Sequence, residues 1–377
     1  MKKINLLTFA LATFFSLPLL AQDEGSFSFS GSVDTYFRYN ANSFNRAIDG
    51  DDGLGFSAPA TSFANRPGFG LGMVNLISSY EGEKVGFVAD LVFGPRGQEA
   101  VFNSTGSSNI INQLYVYYNA SDAVTLTLGN FNTFLGYEVI SPTGNFNYST
   151  SYMFSTGPFS HTGLKADFAL ADGFSAMLAV MNPTDYTDFN LFDTYTLGAQ
   201  LGYDNNGVSA YLNFLYGDQD GTLNEDLLPI LLDNESLGAT FQADLTAGID
   251  LSDDFYLGLN TTINTTGTGE EVAGGDIQDV DGDNFGFYGA ALYAQYATSE
   301  TVSFGARGEY YSLFEGDNSE NIIDFTVSSN IALGNLTLIP EVRIDVVSDE
   351  DSLGFASRDG ETQSSLASFI FAAVYSF

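Results

Sequence analysis

The feature that most constrains this chain is a period-two alternation of apolar and polar residues that recurs from Phe27 to the carboxyl end. Phe27, Phe29, Gly31, Val33, Thr35, Phe37 and Tyr39 interleave with Ser28, Ser30, Ser32, Asp34, Tyr36 and Arg38. The pattern returns as Leu237, Ala239, Phe241, Ala243, Leu245, Ala247 and Ile249 opposite Gly238, Thr240, Gln242, Asp244, Thr246 and Gly248. It returns again as Leu336, Leu338, Val342, Ile344 and Val346 opposite Thr337, Glu341, Arg343 and Asp345, and the chain stops on Phe369, Phe371, Ala373, Tyr375 and Phe377. Such strands put one oily face and one polar face on opposite sides of a sheet. Beyond the amino terminus there is no apolar run of about 20 residues, the length a membrane-spanning helix needs.

Sixteen strands are predicted, centred near 33, 74, 89, 115, 127, 166, 178, 199, 212, 242, 259, 290, 306, 327, 341 and 371. Short connections alternate with long ones, the long ones at 41–67, 94–109, 131–160, 183–193, 218–235, 265–283, 313–320 and 348–363. Short turns on one side and long loops on the other describe an all-β fold: a transmembrane antiparallel β-barrel, with 14 or 18 strands as the alternatives to 16. Closure matters because every backbone amide in hydrocarbon needs a partner and an open sheet has two unpaired edges. Tyr36, Tyr39, Tyr117, Tyr118, Tyr216, Tyr293, Tyr296, Tyr310 and Tyr311 are candidates for aromatic girdles at the membrane interfaces.

The start of the chain reads differently. Lys2 and Lys3 precede an apolar run from Ile4 to Leu20, and Ala21 comes before Gln22, Asp23 and Glu24. That order predicts a secretory signal over 1–21, leaving 22–377 as one barrel in the bacterial outer membrane.

Composition narrows the function. There are 47 acidic residues against 11 basic ones, a formal net charge of -36, no Cys and one His. A chain this acidic is no nucleic-acid binder. Without Cys there is no thiolate metal site, disulfide or cysteine nucleophile. No Gly-rich phosphate loop, dinucleotide fingerprint or Gly-x-Ser-x-Gly elbow is present, so no enzyme activity and no cofactor are expected.

Three segments carry a family likeness: Asn112 to Tyr118 leading to Leu126–Phe131; Phe134 to Ile140 followed by Asn147 to Ser155; and Gly157 to Lys165 closed by Val180-Met181-Asn182. Together they resemble the OmpL-like β-barrel porins of Bacteroidetes outer membranes. The resemblance implies a diffusion channel of unspecified cargo, with Gly136, Tyr137, Glu138 and the stretch Phe159 to Gly163 organising a loop. Phe377, with Tyr375 two before it, is similar to the terminal signature read by barrel assembly machinery. Many porins of this size form homotrimers.

The connection 131–160 is the longest, and Glu138 is its one charged residue. Phe131, Phe134, Tyr137, Phe146, Tyr148, Tyr152, Phe154 and Phe159 crowd it. A loop that apolar is costly in water, so it is expected to fold inward as a constriction, or to plug or cap the barrel. Strand parity assigns Asp34, Arg38, Asp90, Lys165, Asp167, Asp244, Arg307, Glu309, Asp324, Glu341, Arg343 and Asp345 to the lumen, and gives His161 the same parity as Lys165. Arg307 with Glu309, and Glu341 with Arg343 and Asp345, are expected to make charge ladders that either act on solute or stiffen the wall. Acidic loops around the mouth would concentrate cations and repel anions. Asp279, Asp281 and Asp283 form a weak candidate Ca2+ site, since hard cations favour carboxylates. The expected function is passive diffusion of small hydrophilic solutes or ions with a mild cation preference. The alternatives are a structural or adhesive barrel without a channel and, further off, an outer-membrane hydrolase using His161.

Overall fold

A computed structural model describes residues 25–46, 56–190, 193–219, 236–272, 276–278 and 284–377. Alternating residues build a closed antiparallel barrel of 16 wall strands. In chain order they are β1 (Ser26–Asn40), β2 (Gly68–Glu81), β3 (Val85–Phe93), β4 (Ile111–Ser121), β5 (Val124–Asn132), β6 (Ser160–Ala169), β7 (Phe174–Met181) and β8 (Thr196–Asn205). There follow β9 (Val208–Gly217), β10 (Ser236–Ser252), β11 (Phe255–Val272), β12 (Phe285–Ala297), β13 (Val302–Glu315), β14 (Asn318–Leu333), β15 (Leu336–Val347) and β16 (Ser365–Ser376). All sixteen predicted centres fall inside these strands. Each strand pairs with its chain neighbours, and β1 closes on β16 from Ser32↔Ser376 to Asn40↔Ser368. At the seam Gly31 and Phe377 exchange two backbone hydrogen bonds of 3.0 Å.

The predicted parity holds along the wall. In β1, Asp34, Arg38 and Asn40 are buried inside while Val33, Thr35 and Tyr39 face out. Outward leucines such as Leu197 and Leu201 are more than half exposed, 54 and 59 %. Lipid is the solvent that makes such exposure favourable, because each apolar side chain placed in hydrocarbon contributes about 1.5–3 kcal/mol.

The short turns follow local chemistry. Asn206 and Gly207, at φ of 52° and 73°, make the tight β8–β9 connection, with both residues in the left-handed region that a two-residue hairpin of this kind demands. One predicted long loop is corrected: 313–320 is not a loop, because β13 and β14 run on through it and turn at Gly316-Asp317. Polar residues at the strand tips erased the apolar alternation there, since above the membrane a strand no longer needs an oily face. The wall is accordingly uneven, from 8 residues in β7 to 18 in β11.

The tyrosine girdle is corrected by the same alternation. Tyr39, Tyr118, Tyr216, Tyr296 and Tyr310 are exposed on the outside, whereas Tyr36, Tyr293 and Tyr311 are buried within the barrel and Tyr117 shares their parity. Adjacent tyrosines on a strand must point to opposite faces.

Candidate functional site: a loop bound to the inside of the barrel

Residues 133–159 connect β5 to β6, and they turn inward instead of standing above the rim. Thr133 N–H donates to Phe159 O (2.9 Å), which closes the base of the loop directly on the strand pair. A short helix, α1 (Tyr152–Thr156), lies along the inner wall, its first turn capped by the Ser151 hydroxyl.

The wall holds this loop mainly through its backbone. Gly136 N–H donates to Asp244 (2.9 Å). Tyr148 and Ser149 N–H both donate to the Glu341 carboxylate, at 2.7 and 3.2 Å. Tyr152 and Met153 N–H donate to the two oxygens of Glu309, each at 2.8 Å, so a wall carboxylate sits at the start of the helix. In the other direction Arg307 donates to Ser149 O (2.8 Å), Arg343 to Thr150 O (2.7 Å), and Arg96 to Ile140 O (2.8 Å). Charge-assisted hydrogen bonds of this type are about twice as strong as neutral ones. The loop can be nearly uncharged because the strands around it supply the charges.

Its one carboxylate completes an ion chain. Glu138 pairs with Arg307 (2.6 Å) and accepts from Ser151 N–H (2.7 Å). Arg307 continues to Asp324 (3.0 Å), Asp324 to Arg343 (2.8 Å), and Arg343 to Asp345 (2.8 Å). Arg307, Asp324, Arg343 and Asp345 are 0 % exposed. The expected ladders therefore take a different form: Arg307 pairs with Asp324 and Glu138 and not with Glu309, and Glu341 is given to the loop backbone.

Aromatic rings finish the fit. Tyr137 stacks on Tyr293 with centroids 4.1 Å apart and its hydroxyl donates to Tyr256 (3.0 Å). Tyr148 donates to Asp34 at 2.5 Å, and Tyr152 to Asp345 at 3.0 Å. Burial, together with the Asp34 carboxylate, pushes the Tyr148 phenol well above its ordinary range, which keeps it a neutral donor. Phe154 and Phe159 pack with Phe63 of the first long loop.

The remaining predicted residues divide by position. Arg38 is buried and ties the first loop to the wall, donating to Ala64 O (3.3 Å) of that loop and to Ser368 (2.6 Å) on β16. Asp90 accepts from Asn75, Asn112 and Gln113 within the wall. His161 is fully buried against Phe134, with Thr133 at 3.0 Å from its Nε2. Lys165 and Asp167 pair at 3.0 Å and are half-buried, on the opposite wall from the ion chain. Asp279, Asp281 and Asp283 lie outside the described residues, as does the segment 1–21. Among the described residues no cluster of three or more His, Cys, Asp or Glu could hold a metal ion.

Sequence reasoning missed Arg96 and Asp185, both in loops where parity gives no direction. The scarcity of basic residues, 11 in the chain, was a usable signal for Arg96. Arg96 sits in another short helix, Pro95–Ala100, its guanidinium 4.3 Å from the Phe63 ring. Asp185 accepts from the N–H groups of Phe159 and Ser160 (2.7 and 2.9 Å), fixing the loop's return into β6. Burial raises its carboxyl from 3.8 to about 6. In the unfolded chain this group ionises first as pH rises, so the folded state loses stability between about pH 4 and 6, by about 2–3 kcal/mol. Asp185→Asn is expected to flatten that part of the pH dependence of melting in detergent micelles. An unchanged profile would show that Asp185 is not its source.

An apolar exterior, a closed wall and a segment folded into the lumen define an outer-membrane barrel of the porin class, whose general task is transport across that membrane. Residues 26–377 match the family described as "Putative beta-barrel porin-2, OmpL-like". The chain belongs to that family. A search of curated proteins returns no match. Among solved structures it is similar to the trimer form of OmpT from Vibrio cholerae, at 10 % identity and a TM-score of 0.58 over 94 % of this chain and 100 % of that one. It is also similar to the outer-membrane channel DcaP of Acinetobacter baumannii, at 13 % identity and a TM-score of 0.55 over 94 % and 97 %. Pseudomonas putida OprB aligns at 10 % identity with a TM-score of 0.51, over 94 % of both chains.

Proposed function

We propose that the chain is a passive porin for small hydrophilic solutes or ions, narrowed by residues 133–159 and mildly cation-preferring. The observation that carries this reading is the inward loop, pinned to β10–β15 while Lys165 and Asp167 on the opposite wall remain half-exposed. Solute would pass on the side of β4–β8. The preference for cations follows from a net charge of -36 and from the acidic outer loops, which enrich cations most at low salt. Homotrimerisation and recognition of Phe377 by barrel assembly machinery belong to the same proposal. OmpT, one barrel of similar fold, is described in a trimer form.

A second reading has an observation of its own. The ion chain is completely buried, so the loop fills that side of the lumen as a plug would. Planar-bilayer recordings of the refolded chain separate the two. Stable conductance steps with a cation-biased reversal potential support the porin; insertion without steps would overturn it in favour of a closed barrel. Lys165→Glu reverses a charge on the open wall, and a severalfold rise in cation over anion permeability is expected. No shift in reversal potential would place the permeation path elsewhere.

A further inference from the structure

A cavity of about 700 Å3 lies on the long-loop side of the inward loop, with Thr156, Gly157 and Pro158 along one edge. That volume falls within the range of about 300–1,000 Å3 usual for small-molecule sites. We infer that this cavity is a binding site for a neutral, polyhydroxylated solute of two or three sugar rings. The inference deepens the porin reading and rests on it for the solute's path.

The lining is ordered by strand register into two parallel rows. One runs Thr240, Thr266, Phe285, Glu315, Asn318 across β10 to β14, each residue paired with the next. The other, two residues deeper, runs Gln242, Asn264, Phe287, Leu313, Glu320. Both rows begin with two hydroxyl or amide side chains and pass an aromatic ring; the first then carries Glu315 followed by Asn318, and the second ends at Glu320. Phe287 and Leu313 pack with Tyr152, Met153 and Tyr311, but Phe285, facing inward at the cavity, needs an explanation, since water gains nothing from it.

A sugar ring supplies one. Its C–H face is apolar and packs on an aromatic ring, while its equatorial hydroxyls reach sideways to amides and carboxylates. The amides are already partly organised: Asn264 donates to Gln242 (3.2 Å), and Thr240 and Thr266 share a 2.8 Å hydrogen bond. Asn264 keeps a carbonyl oxygen for a ligand hydroxyl. The cavity's lining contains no Lys or Arg and includes Asp185, Glu315 and Glu320, so an anionic solute is disfavoured. A small inorganic cation would use the carboxylates and have no use for the rings.

Saturation-transfer NMR on the full chain folded in detergent tests this without requiring an open pore. Maltotriose is expected to receive saturation with millimolar affinity, strongest at its ring C–H protons, while citrate receives none. Asn264→Ala and Phe285→Ala are each expected to weaken maltotriose about fivefold, the scale of one lost hydrogen bond or ring contact. Heat-modifiable migration on gels establishes that each variant is folded. Absence of transfer to maltotriose in the wild-type barrel, transfer to tetramethylammonium alone, or affinity unchanged in both folded variants would each overturn the inference. A barrel that binds maltotriose yet conducts no ions would sink the porin reading and leave the site standing. One that conducts but does not bind would do the reverse.

Discussion

Arg307→Ala is expected to detach the inward loop and to destabilise the barrel by about 3–5 kcal/mol, the usual result of removing one partner from a buried ion pair. Glu138 and Asp324 both contact this guanidinium, at 2.6 and 3.0 Å, and Ser149 O loses its donor as well. Two carboxylates would be left buried with their charge reduced in compensation. They can be rehydrated only if the loop lifts, so the structural and energetic consequences come together. The checks are a lower melting temperature in micelles, new protease cleavage within 134–158, and larger, noisier conductance. Arg307→Lys keeps the charge but not the forked geometry, and is expected to recover the stability only in part. A variant that melts like wild type and remains protease-resistant would show that the ion chain does not anchor the loop.

Excision of the loop is expected to have the largest effect on conductance. Asn132 and Ser160 are already paired, and Thr133 N–H already reaches Phe159 O, so a short turn can replace 134–158 without disturbing the wall. The charges that Arg307→Ala would strand in a dry contact would here be exposed to water. Their desolvation cost vanishes with the loop, and the barrel should refold. Conductance should rise severalfold and become less ion-selective, because the field of a wide, hydrated lumen is better screened. A folded excision variant with wild-type conductance would remove the constriction from the proposed function. Steps appearing only after excision would identify the loop as a plug.

The candidate site was legible in proportion to how far each residue obeyed strand parity. Asp34, Arg38, Asp90, Arg307, Glu309, Glu341, Arg343 and Asp345 were assigned to the barrel interior from alternation, and all are buried there. Their partners could not be read in the same way. Glu341 meets Tyr148, 193 residues away in sequence, and Arg307 meets Glu138 across 169. Nothing local couples such positions. The loop's own sequence was informative in one respect: many rings and a single charge meant that it had to be covered, though not by what.

Alternation, turn chemistry and the need to pair every amide in hydrocarbon were enough to determine a closed antiparallel barrel, the place of each strand along the chain and the inward face of the wall charges. Those properties depend on neighbours one or two residues apart, or on a solvent that treats every strand alike. Only the tertiary structure decided that β13 and β14 continue through a stretch read as a loop, that the wall charges bond to the backbone of the inward loop, and that Thr240 to Asn318 and Gln242 to Glu320 form rows on one cavity wall. Each of those depends on which distant strands closure brings together and on how one long segment fills the space they enclose.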